Sequence, residues 1–343
     1  MINAPPNMLH WMMILFLSRS LVRQPKTRRF LSELPSPQLI SSKSSTTIKR
    51  VKQLLKSPKK RREAGLTIVE SPKSVLDMLQ NPKTAGLVRQ ILVSEPQWHS
   101  VLTQIQDRLD ASGCDNGDNR QSPRVTPVTA AVMEDLFDTV TPQGVLAIVQ
   151  IPDSQTLLEK SPAPTRFPLY LILDGVSDPG NLGTLLRSAA AVGVKAVLTL
   201  PGTAEPFSPK ALRSATLCQF TVPLFPCSSW AETVDQLQEW HPAQDNTVDV
   251  WAATMQHDLP GTAYYNVPWT KGPSALIIGN EGNGLSLDVR TALTSREGNL
   301  SIRTVYVPMQ ASVESLNAAS KKEMCRVVVS LRSYGTPCCE AID

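Results

Sequence analysis

Several features that would assign this chain to a common class are missing from its sequence. Its 343 residues contain no apolar run of roughly 18 or more, the length that a transmembrane helix requires, so we expect no membrane-spanning segment. The six cysteines form no C-x-x-C pair and do not alternate with the four histidines, which argues against a disulfide scaffold and a zinc finger. The motifs H-E-x-x-H and G-x-S-x-G are absent, so we predict neither a metal site nor a serine hydrolase. Aromatic residues make up only 5% of the chain, which gives no sign of a stacking platform for single-stranded nucleic acid.

Acidic residues are scarce at the N-terminus. Residues 1–62 contain 14 Lys and Arg against a single acid, Glu33, although the net charge of the whole chain is only +4. The remaining residues carry 20 basic and 29 acidic side chains. A basic arm on a mildly acidic body indicates a targeting peptide, a polyanion-binding surface, or both in succession.

The first part of this arm has the residue order of an organellar transit peptide. Residues 8–17 form a short apolar stretch that no basic residue precedes, and Arg19, Arg23 and further basic residues follow it together with serines. We therefore predict a transit peptide over residues 1–38 and a location in a mitochondrion or a plastid. A secretory signal is the alternative interpretation of the segment, and the cytoplasm is the alternative location.

A second basic stretch has the spacing of an amphipathic helix. Ile48, Val51 and Leu55 share one face at i, i+3 and i+7, and the basic side chains lie elsewhere. Nine bases between residues 43 and 62, with no acid among them, would attract a polyphosphate and gain from counterion release. We predict RNA contacts for Lys49, Arg50, Lys52, Lys59, Lys60, Arg61 and Arg62. An ordinary solvated helix face is the alternative.

Short apolar runs then alternate with helical patterns, which predicts an α/β layered fold. Strand-like runs lie at 66–69, 90–93 and 145–151, and helical patterns lie at 75–79, 101–109 and 131–137. Four prolines between residues 152 and 168 indicate a linker. The chain is thus predicted to contain a smaller α/β domain over 41–151, a linker over 152–168 and a second domain over 169–335.

The second half contains three junctions at which a predicted strand ends in a polar loop. Strand 169–173 precedes DGVSDPGNLG and a helix over 184–192, strand 275–278 precedes GNEGNG, and strand 305–307 precedes PMQASVESLN and a helix over 318–333. Ligands in parallel sheets bind at the carboxyl ends of strands. The loop over 279–284 has neither the dinucleotide fingerprint nor a Walker A sequence, so a nucleotide-dependent enzyme is only a minor alternative.

Together the three loops resemble the three motifs, in order, of the SpoU (TrmH) family of RNA ribose methyltransferases. The match covers LDGVSDPGNLGTLLRSAAAVG, LIIGNEGNGLS and VPMQASVESLN, within about residues 169–333. A looser resemblance, through IVESPKSV and TPQGVLAIV, relates the first half to the ribosomal-protein-like substrate-binding domain that often precedes this catalytic domain. The resemblance implies a SPOUT-type α/β fold with a parallel sheet and a C-terminal trefoil knot. It also implies a homodimer whose active site lies at the subunit interface.

The same resemblance implies the activity and its residues. The expected reaction is S-adenosylmethionine-dependent methylation of a ribose 2′-hydroxyl in RNA. The expected substrate is ribosomal RNA, and tRNA is the alternative. The family's catalytic and architectural positions match Asn181, Arg187, Glu281, Ser315 and Asn317. Its cofactor positions match Gly279, Val307, Met309 and Leu316. We expect Arg187 to orient the hydroxyl or a nearby phosphate and to stabilise developing charge, because a guanidinium is a poor base; a phosphate-binding or dimer-interface arginine is the alternative.

The sequence departs from the family pattern at a few positions. Ala311, Leu217 and Ser71 stand where glycine is usual, and Lys321 and Lys322 lie on a helix face that is normally apolar and small. A side chain at a turn that needs positive φ is unfavourable, and we expect the greatest difficulty at Leu217. Because the catalytic residue types are intact, we favour an active enzyme. The alternative is a catalytically inactive RNA-binding assembly factor that retains the fold.

Overall fold

The chain forms two β-sheets, one after the other along the sequence. The loops that resemble the first two family motifs lie at one edge of the second sheet. The computed structural model describes residues 38–111, 122–137, 143–161, 167–242, 248–254, 260–294 and 300–308. Residues 1–37 of the predicted transit peptide and the predicted helix over 318–333 lie outside this part, as does the chain after residue 308 in which the family's knot is expected. The described residues from Leu39 onward belong to one compact unit. None of the described helices is long and apolar enough to cross a membrane.

The first sheet has four strands in the order β1-β4-β2-β3. The strands are β1 (Leu66–Glu70), β2 (Val88–Ser94), β3 (Arg124–Val128) and β4 (Val145–Gln150). Strand β4 runs antiparallel to β1 and β2, whereas β2 and β3 are parallel. The helices of this half are α1 (Thr46–Lys56), α2 (Pro58–Ala64), α3 (Pro72–Gln80), α4 (Trp98–Ala111) and α5 (Ala130–Glu134).

Both faces of the first sheet are covered. Ile68 packs with apolar residues of α1 and α5, while its neighbour Val69 packs with residues of α3 and α4. Successive side chains of a strand point to opposite faces, so the apolar residues of β1 contribute to two cores. Strand β3 does not follow from the sequence pattern because it contains Pro127. The structure places β3 at the sheet edge, where a proline is tolerated.

The predicted basic helix is two helices. Ser57 interrupts it, and the Ser57 side chain accepts a hydrogen bond from the Lys60 amide at 3.3 Å while Pro58 occupies the first turn of α2. Serine at an N-cap and proline immediately after it are the residues that begin a new helix. The apolar face of α1 is buried as expected for Ile48 and Val51, together with Leu54.

The second sheet has seven parallel strands in the order β7-β6-β5-β10-β8-β11-β9. The strands are β5 (Leu169–Asp174), β6 (Ala196–Thr199), β7 (Leu224–Pro226), β8 (Asp249–Ala253), β9 (Thr262–Ala263), β10 (Ser274–Gly279) and β11 (Ser301–Tyr306). The helices are α6 (Ser154–Lys160), α7 (Pro179–Ala191), α8 (Pro209–Ala215), α9 (Trp230–Trp240) and α10 (Leu287–Thr294). Every residue of β5 and β10 is buried, as expected for central strands covered on both faces. The predicted α/β class with a parallel sheet is confirmed.

The predicted linker over 152–168 is not entirely irregular, because it contains α6. Asp153 caps this helix by accepting a hydrogen bond from the Thr156 amide at 2.7 Å. The Ser154 hydroxyl also contacts the Leu224 carbonyl of β7. An aspartate in this position favours a helix start that the prolines on either side conceal.

Helix α8 of the second sheet packs against the first sheet. Leu212 and Phe220 join the apolar cluster that contains Val69 and Val75. Arg213 forms an ion pair with Glu70, at 2.6 Å, on the surface above this cluster. The end of β1 is therefore held against the α8 region.

Candidate active site

The carboxyl ends of four parallel strands bring the predicted loops to one edge of the second sheet. Strands β5 and β10 are neighbours in register, with Asp174 opposite Gly279. Strand β8 lies beside β10, and β11 lies beside β8. Loops that are a hundred residues apart in sequence thus leave the sheet side by side.

The first loop ends earlier than predicted. Helix α7 begins at Pro179 and not at Thr184, because Asp178 caps it by accepting a hydrogen bond from the Asn181 amide at 2.9 Å. Lys210 donates to the other Asp178 oxygen at 2.6 Å. These interactions, the Lys210 contact foremost, hold the pKa of Asp178 below its usual value. The capped turn places Asn181 at the start of the helix, next to the second loop.

Asn280 organises the second loop, a role that the sequence pattern did not assign. Its Oδ1 accepts hydrogen bonds from the amides of Gly282 (2.9 Å) and Asn283 (3.1 Å), which forms a local turn. Its Nδ2 donates to the Gly175 carbonyl of the first loop at 2.7 Å. One side chain therefore shapes the second loop and joins it to the first. The only sequence signal is the presence of Asn within a glycine-rich turn.

The two loops also meet through predicted catalytic residues. The Asn181 side-chain amide donates a hydrogen bond to the Glu281 carboxylate. Glu281 is exposed and Asn181 is half-buried, so the pair lies at the protein surface, at the carboxyl ends of the strands. The contact fixes the carboxylate of one loop against the helix start of the other.

Asp174 connects the start of the first loop to the end of the second. It is only 2% exposed, and its Oδ2 accepts a hydrogen bond from the Ser286 amide at 2.7 Å. Burial raises the pKa of this carboxyl above its usual value, and the hydrogen bonds from Ser286 offset the shift only in part. Asp174 therefore links the end of β5 to the residues that precede α10.

Arg187 lies nearly two turns beyond Asn181 on α7, and its side chain is exposed. It forms no hydrogen bond or ion pair with any other described residue, so the structure assigns it no structural partner there. Gly183, one turn earlier, lies where α7 touches α8: a Cβ at this position would stand 2.6 Å from the Ser214 Cβ. Close packing with α8 thus fixes the helix that carries Arg187.

The predicted cofactor positions are only partly described. Gly279 ends β10 and is buried, and a Cβ there would lie 2.5 Å from the Gly284 carbonyl oxygen, so the loop can close only over glycine. Val307 follows β11 and packs against the core. Met309, Ser315, Leu316 and Asn317 lie outside the described residues, as do Ala311, Lys321 and Lys322.

The end of β8, between Gly279 and Val307, carries a polar atom that the sequence pattern missed. The Thr254 hydroxyl oxygen is buried, yet it has no hydrogen-bond partner in the part of the chain that the structure describes. A buried polar group normally has such a partner. A hydroxyl between an apolar wall and a glycine backbone fits a ligand with both hydrogen-bonding and apolar groups, such as S-adenosylmethionine. Among the described residues, no cluster of three or more His, Cys, Asp or Glu could hold a metal ion.

The predicted RNA-contacting side chains differ in their exposure to solvent. Lys49, Arg50, Lys59, Lys60 and Arg62 are exposed, although Lys59 and Lys60 lie within reach of Glu63. Lys52 is half-buried and forms an ion pair with Asp135. The prediction for Arg61 is wrong: it is 2% exposed and forms an ion pair with Glu205, so it presents no charge to an RNA in solvent. Periodicity did not reveal this because the break at Ser57 turns Arg61 inward.

Two positions at which the family uses glycine adopt left-handed backbone conformations. Ser71 has a φ of 86° and Leu217 a φ of 65°. Neighbouring Thr216 also has a positive φ, of 50°. The Leu217 side chain packs against the apolar cluster between the sheets, and this contact offsets part of the backbone strain.

Comparison with known proteins agrees with this geometry. The SpoU rRNA Methylase family model matches residues 168–325. A 23S rRNA (guanosine(2553)-2′-O)-methyltransferase, RlmP of Bacillus subtilis, is 30% identical over 82% of this chain and 94% of its own length. The mitochondrial rRNA methyltransferase 3A of Danio rerio is 29% identical over 79% of this chain and 65% of its own length. The chain spans about half to two thirds of the length of such mitochondrial relatives.

A solved structure extends the similarity to three dimensions. The SpoU methyltransferase AviRb of Streptomyces viridochromogenes, determined in complex with the cofactor AdoMet, has a TM-score of 0.66 and 25% identity, and the match covers 85% of this chain and all of AviRb. The loops after β5 and β10, which resemble the first two motifs of the family, meet at the strand ends. The chain therefore belongs to the SpoU rRNA methylase family.

Proposed function

We propose that this chain transfers a methyl group from S-adenosylmethionine to a ribose 2′-hydroxyl of ribosomal RNA. The observation that carries the proposal is the hydrogen bond between Asn181 and Glu281, which joins two family motifs at the carboxyl edge of a parallel sheet. The named relatives are rRNA methyltransferases, and RlmP is a ribose 2′-O-methyltransferase.

Gly279, Thr254 and Val307 would hold the cofactor, together with Met309 and Leu316. Gly279 lets the second loop close because no side chain stands there, Thr254 supplies a hydroxyl that has no hydrogen-bond partner among the described residues, and Val307 supplies an apolar wall. When bound, S-adenosylmethionine supplies an activated methyl group on a sulfonium. The role of the chain is to place the ribose oxygen in line with that group and to exclude water.

Asn181 and Glu281 fix the two loops that border the transfer site. Arg187 orients the ribose hydroxyl or the adjacent phosphate, and its charge stabilises the negative charge that develops on the oxygen. A guanidinium keeps its proton in proteins, so the hydroxyl proton passes to a base other than Arg187, and S-adenosylhomocysteine leaves once the methyl group is bonded to the ribose oxygen. Ser315 and Asn317 of the third motif complete the site in this proposal.

The exposed basic residues of α1 and α2 would bind the RNA backbone. Lys49, Arg50, Lys59, Lys60 and Arg62 are exposed on one short segment of chain. Phosphate contacts of this kind hold an RNA without reading its sequence. In the proposal the chain is a homodimer with a C-terminal trefoil knot, and the second protomer borders the site near Arg187.

We propose an organellar location, and the mitochondrial relatives favour the mitochondrion over the plastid. The basic, acid-poor residues 1–38 support it as a transit peptide. A fluorescent fusion of the full chain, compared with one that begins at residue 39, tests this assignment. Organellar fluorescence that persists without residues 1–38, or no organellar fluorescence in either fusion, would contradict it.

The decisive experiment maps ribose methylation across organellar ribosomal RNA from cells with and without this protein. The purified chain is then incubated with the unmethylated RNA and S-adenosylmethionine, with tRNA from the same cells as a parallel substrate. We expect one ribosomal site to lose methylation in the cells and regain it in vitro. RNA binding without cofactor binding, shown by calorimetry, would instead identify an inactive assembly factor.

A further inference from the structure

Arg61 and Glu205 form a buried ion pair that joins the two sheets. The Arg61 Nε lies 3.0 and 2.8 Å from the two Glu205 carboxylate oxygens, and its Nη2 contacts the same carboxylate. The side chains are only 3% and 14% exposed. Exposed pairs elsewhere, such as Lys210 with Asp178, are far more accessible. Burial on this scale sets the pair apart from ordinary surface salt bridges.

The remaining Arg61 donors bind the end of α1. Its Nη1 donates to the Leu54 carbonyl and, at 3.0 Å, to the Leu55 carbonyl. One guanidinium therefore connects the last turn of α1, its own helix α2 and Glu205. These are the two helices that carry the exposed basic residues.

Glu205 lies in the loop over 200–208 that connects β6 to α8. The loop has a second contact with the first half of the chain: the buried Thr67 hydroxyl of β1 donates to the Phe207 carbonyl at 2.7 Å. Gln219, buried in the turn that follows α8, donates to the Pro206 carbonyl at 3.0 Å. The loop is therefore held both by β1 and by the segment after α8.

The same loop is hydrogen-bonded to the first family motif. The Gly175 amide donates to the Thr203 hydroxyl at 3.1 Å, and the Ala204 amide donates to the Val176 carbonyl at 2.9 Å. Gly175 is also the residue whose carbonyl accepts from Asn280. A continuous set of hydrogen bonds thus runs from the basic helices to the loops that carry Asn181 and Glu281.

We propose that Arg61 and Glu205 are positioning residues, whose buried ion pair sets the basic helices at a fixed place relative to the edge that carries Asn181 and Glu281. An RNA backbone bound to those helices then presents its ribose to the transfer site in one register. The inference rests on the proposed function. Apolar contact between the sheets supplies attraction without direction, whereas a forked arginine with five donors specifies one arrangement.

The test replaces both partners, Arg61→Met together with Glu205→Met, so that no unpaired charge remains buried. A matched control replaces Arg89 and Gln150 by Met, since this pair hydrogen-bonds within the first sheet only. We expect kcat for RNA methylation to fall by roughly ten- to a hundredfold in the Arg61/Glu205 variant, as a misplacement of reacting groups produces. The KM for RNA and the affinity for S-adenosylmethionine should change little, because the exposed bases and the cofactor residues remain.

Hydrogen exchange supplies a readout that needs no activity. The amides of Gly175 and Ala204 should exchange faster in the Arg61/Glu205 variant than in the wild type and the control, while the strand amides of β1 and β5 keep their protection. Unchanged exchange at these two amides, or faster exchange with an unchanged kcat, overturns the inference. If the wild type methylates no RNA, the proposed function fails, and the exchange comparison still decides whether the pair positions the loop.

Discussion

The Asn181 side chain donates a hydrogen bond to Glu281 across two loops that leave neighbouring parallel strands. Asn181 is placed by the Asp178 cap at the start of α7, and Glu281 is placed by the turn that Asn280 closes. Neither loop could hold this geometry alone. This edge of the sheet is therefore formed by two βα junctions together, and the proposed transfer site depends on their contact.

Replacing Asn181 by Ala should lower kcat/KM for RNA methylation by about ten- to a hundredfold, the effect of losing one hydrogen bond to a charged group. The cause is that the Glu281 carboxylate is no longer fixed. Methyl transfer is measured with labelled S-adenosylmethionine. Asn283→Ala, in the exposed loop that carries Glu281, is the control, and a comparable loss of activity in that variant would show that any change near Glu281 suffices.

Replacing Arg187 by Ala should lower the transfer rate by about a hundred- to a thousandfold while cofactor binding persists, because a charge that stabilises the developing oxyanion is removed. Calorimetry with S-adenosylmethionine is the second measurement. Arg187→Lys keeps the charge without the fork and should recover part of the rate. Near-normal turnover in the alanine variant would refute the assignment, and Arg89→Ala, another exposed arginine, is the matched control.

Continuous apolar runs are a reliable guide to two of the central strands that are buried on both faces, β5 and β10, although they do not predict β8. The runs at 169–173 and 275–278 predicted β5 and β10 almost to the residue, because continuous burial demands continuous apolar sequence. Helix starts were less predictable. The sequence predicts that α7 begins at Thr184, because the polar residues before it resemble a loop, whereas Asp178 and Pro179 form a capped first turn in the structure.

Sequence patterns do not predict which segments that are distant in the sequence come into contact. Arg61 was grouped with its basic neighbours, and nothing in its spacing indicates that Glu205, 144 residues later, would neutralise it. Asn280 and Thr254 were missed for the same reason, since their roles follow from which strands are neighbours. The resemblance to a family supplied Asn181 and Glu281 as candidates, but only the strand order explains why they meet.

The buried Asp174 predicts a pH dependence of stability. Because burial raises its pKa in the folded state, its contribution is fully present below the usual carboxyl pKa and is lost as pH rises through the folded-state value. The free energy of unfolding of the wild type, relative to Asp174→Asn, should therefore decline as pH rises from about 4 towards neutrality. Urea unfolding of both proteins across this range measures the difference.

Asp178 provides a control, because its pKa is shifted in the opposite direction to that of Asp174. Its pKa is lowered by Lys210, so its contribution is present above the usual carboxyl pKa and is lost as pH falls through the depressed value. The wild type should gain stability relative to Asp178→Asn as pH rises from the depressed value to about 4, and the difference should stay constant above that, so urea unfolding is extended below about pH 4. If the stability differences between the wild type and the two variants changed with pH in the same direction, the environments assigned to Asp174 and Asp178 would be contradicted.

The packing of α7 against α8 predicts a strong effect of one methyl group. A Cβ at Gly183 would lie 2.6 Å from the Ser214 Cβ and 2.7 Å from the Ala211 carbonyl oxygen, so Gly183→Ala must separate the two helices. Overpacking of this kind costs about 1–3 kcal/mol in the free energy of unfolding, which urea titration resolves. Gly272→Ala is the matched control, since no atom lies within 4 Å of its Cβ position. Because α7 also carries Asn181 and Arg187, the Gly183 variant should lose methyl transfer even where it remains folded, and equal stability and activity in the two variants would show that the helices do not pack as described.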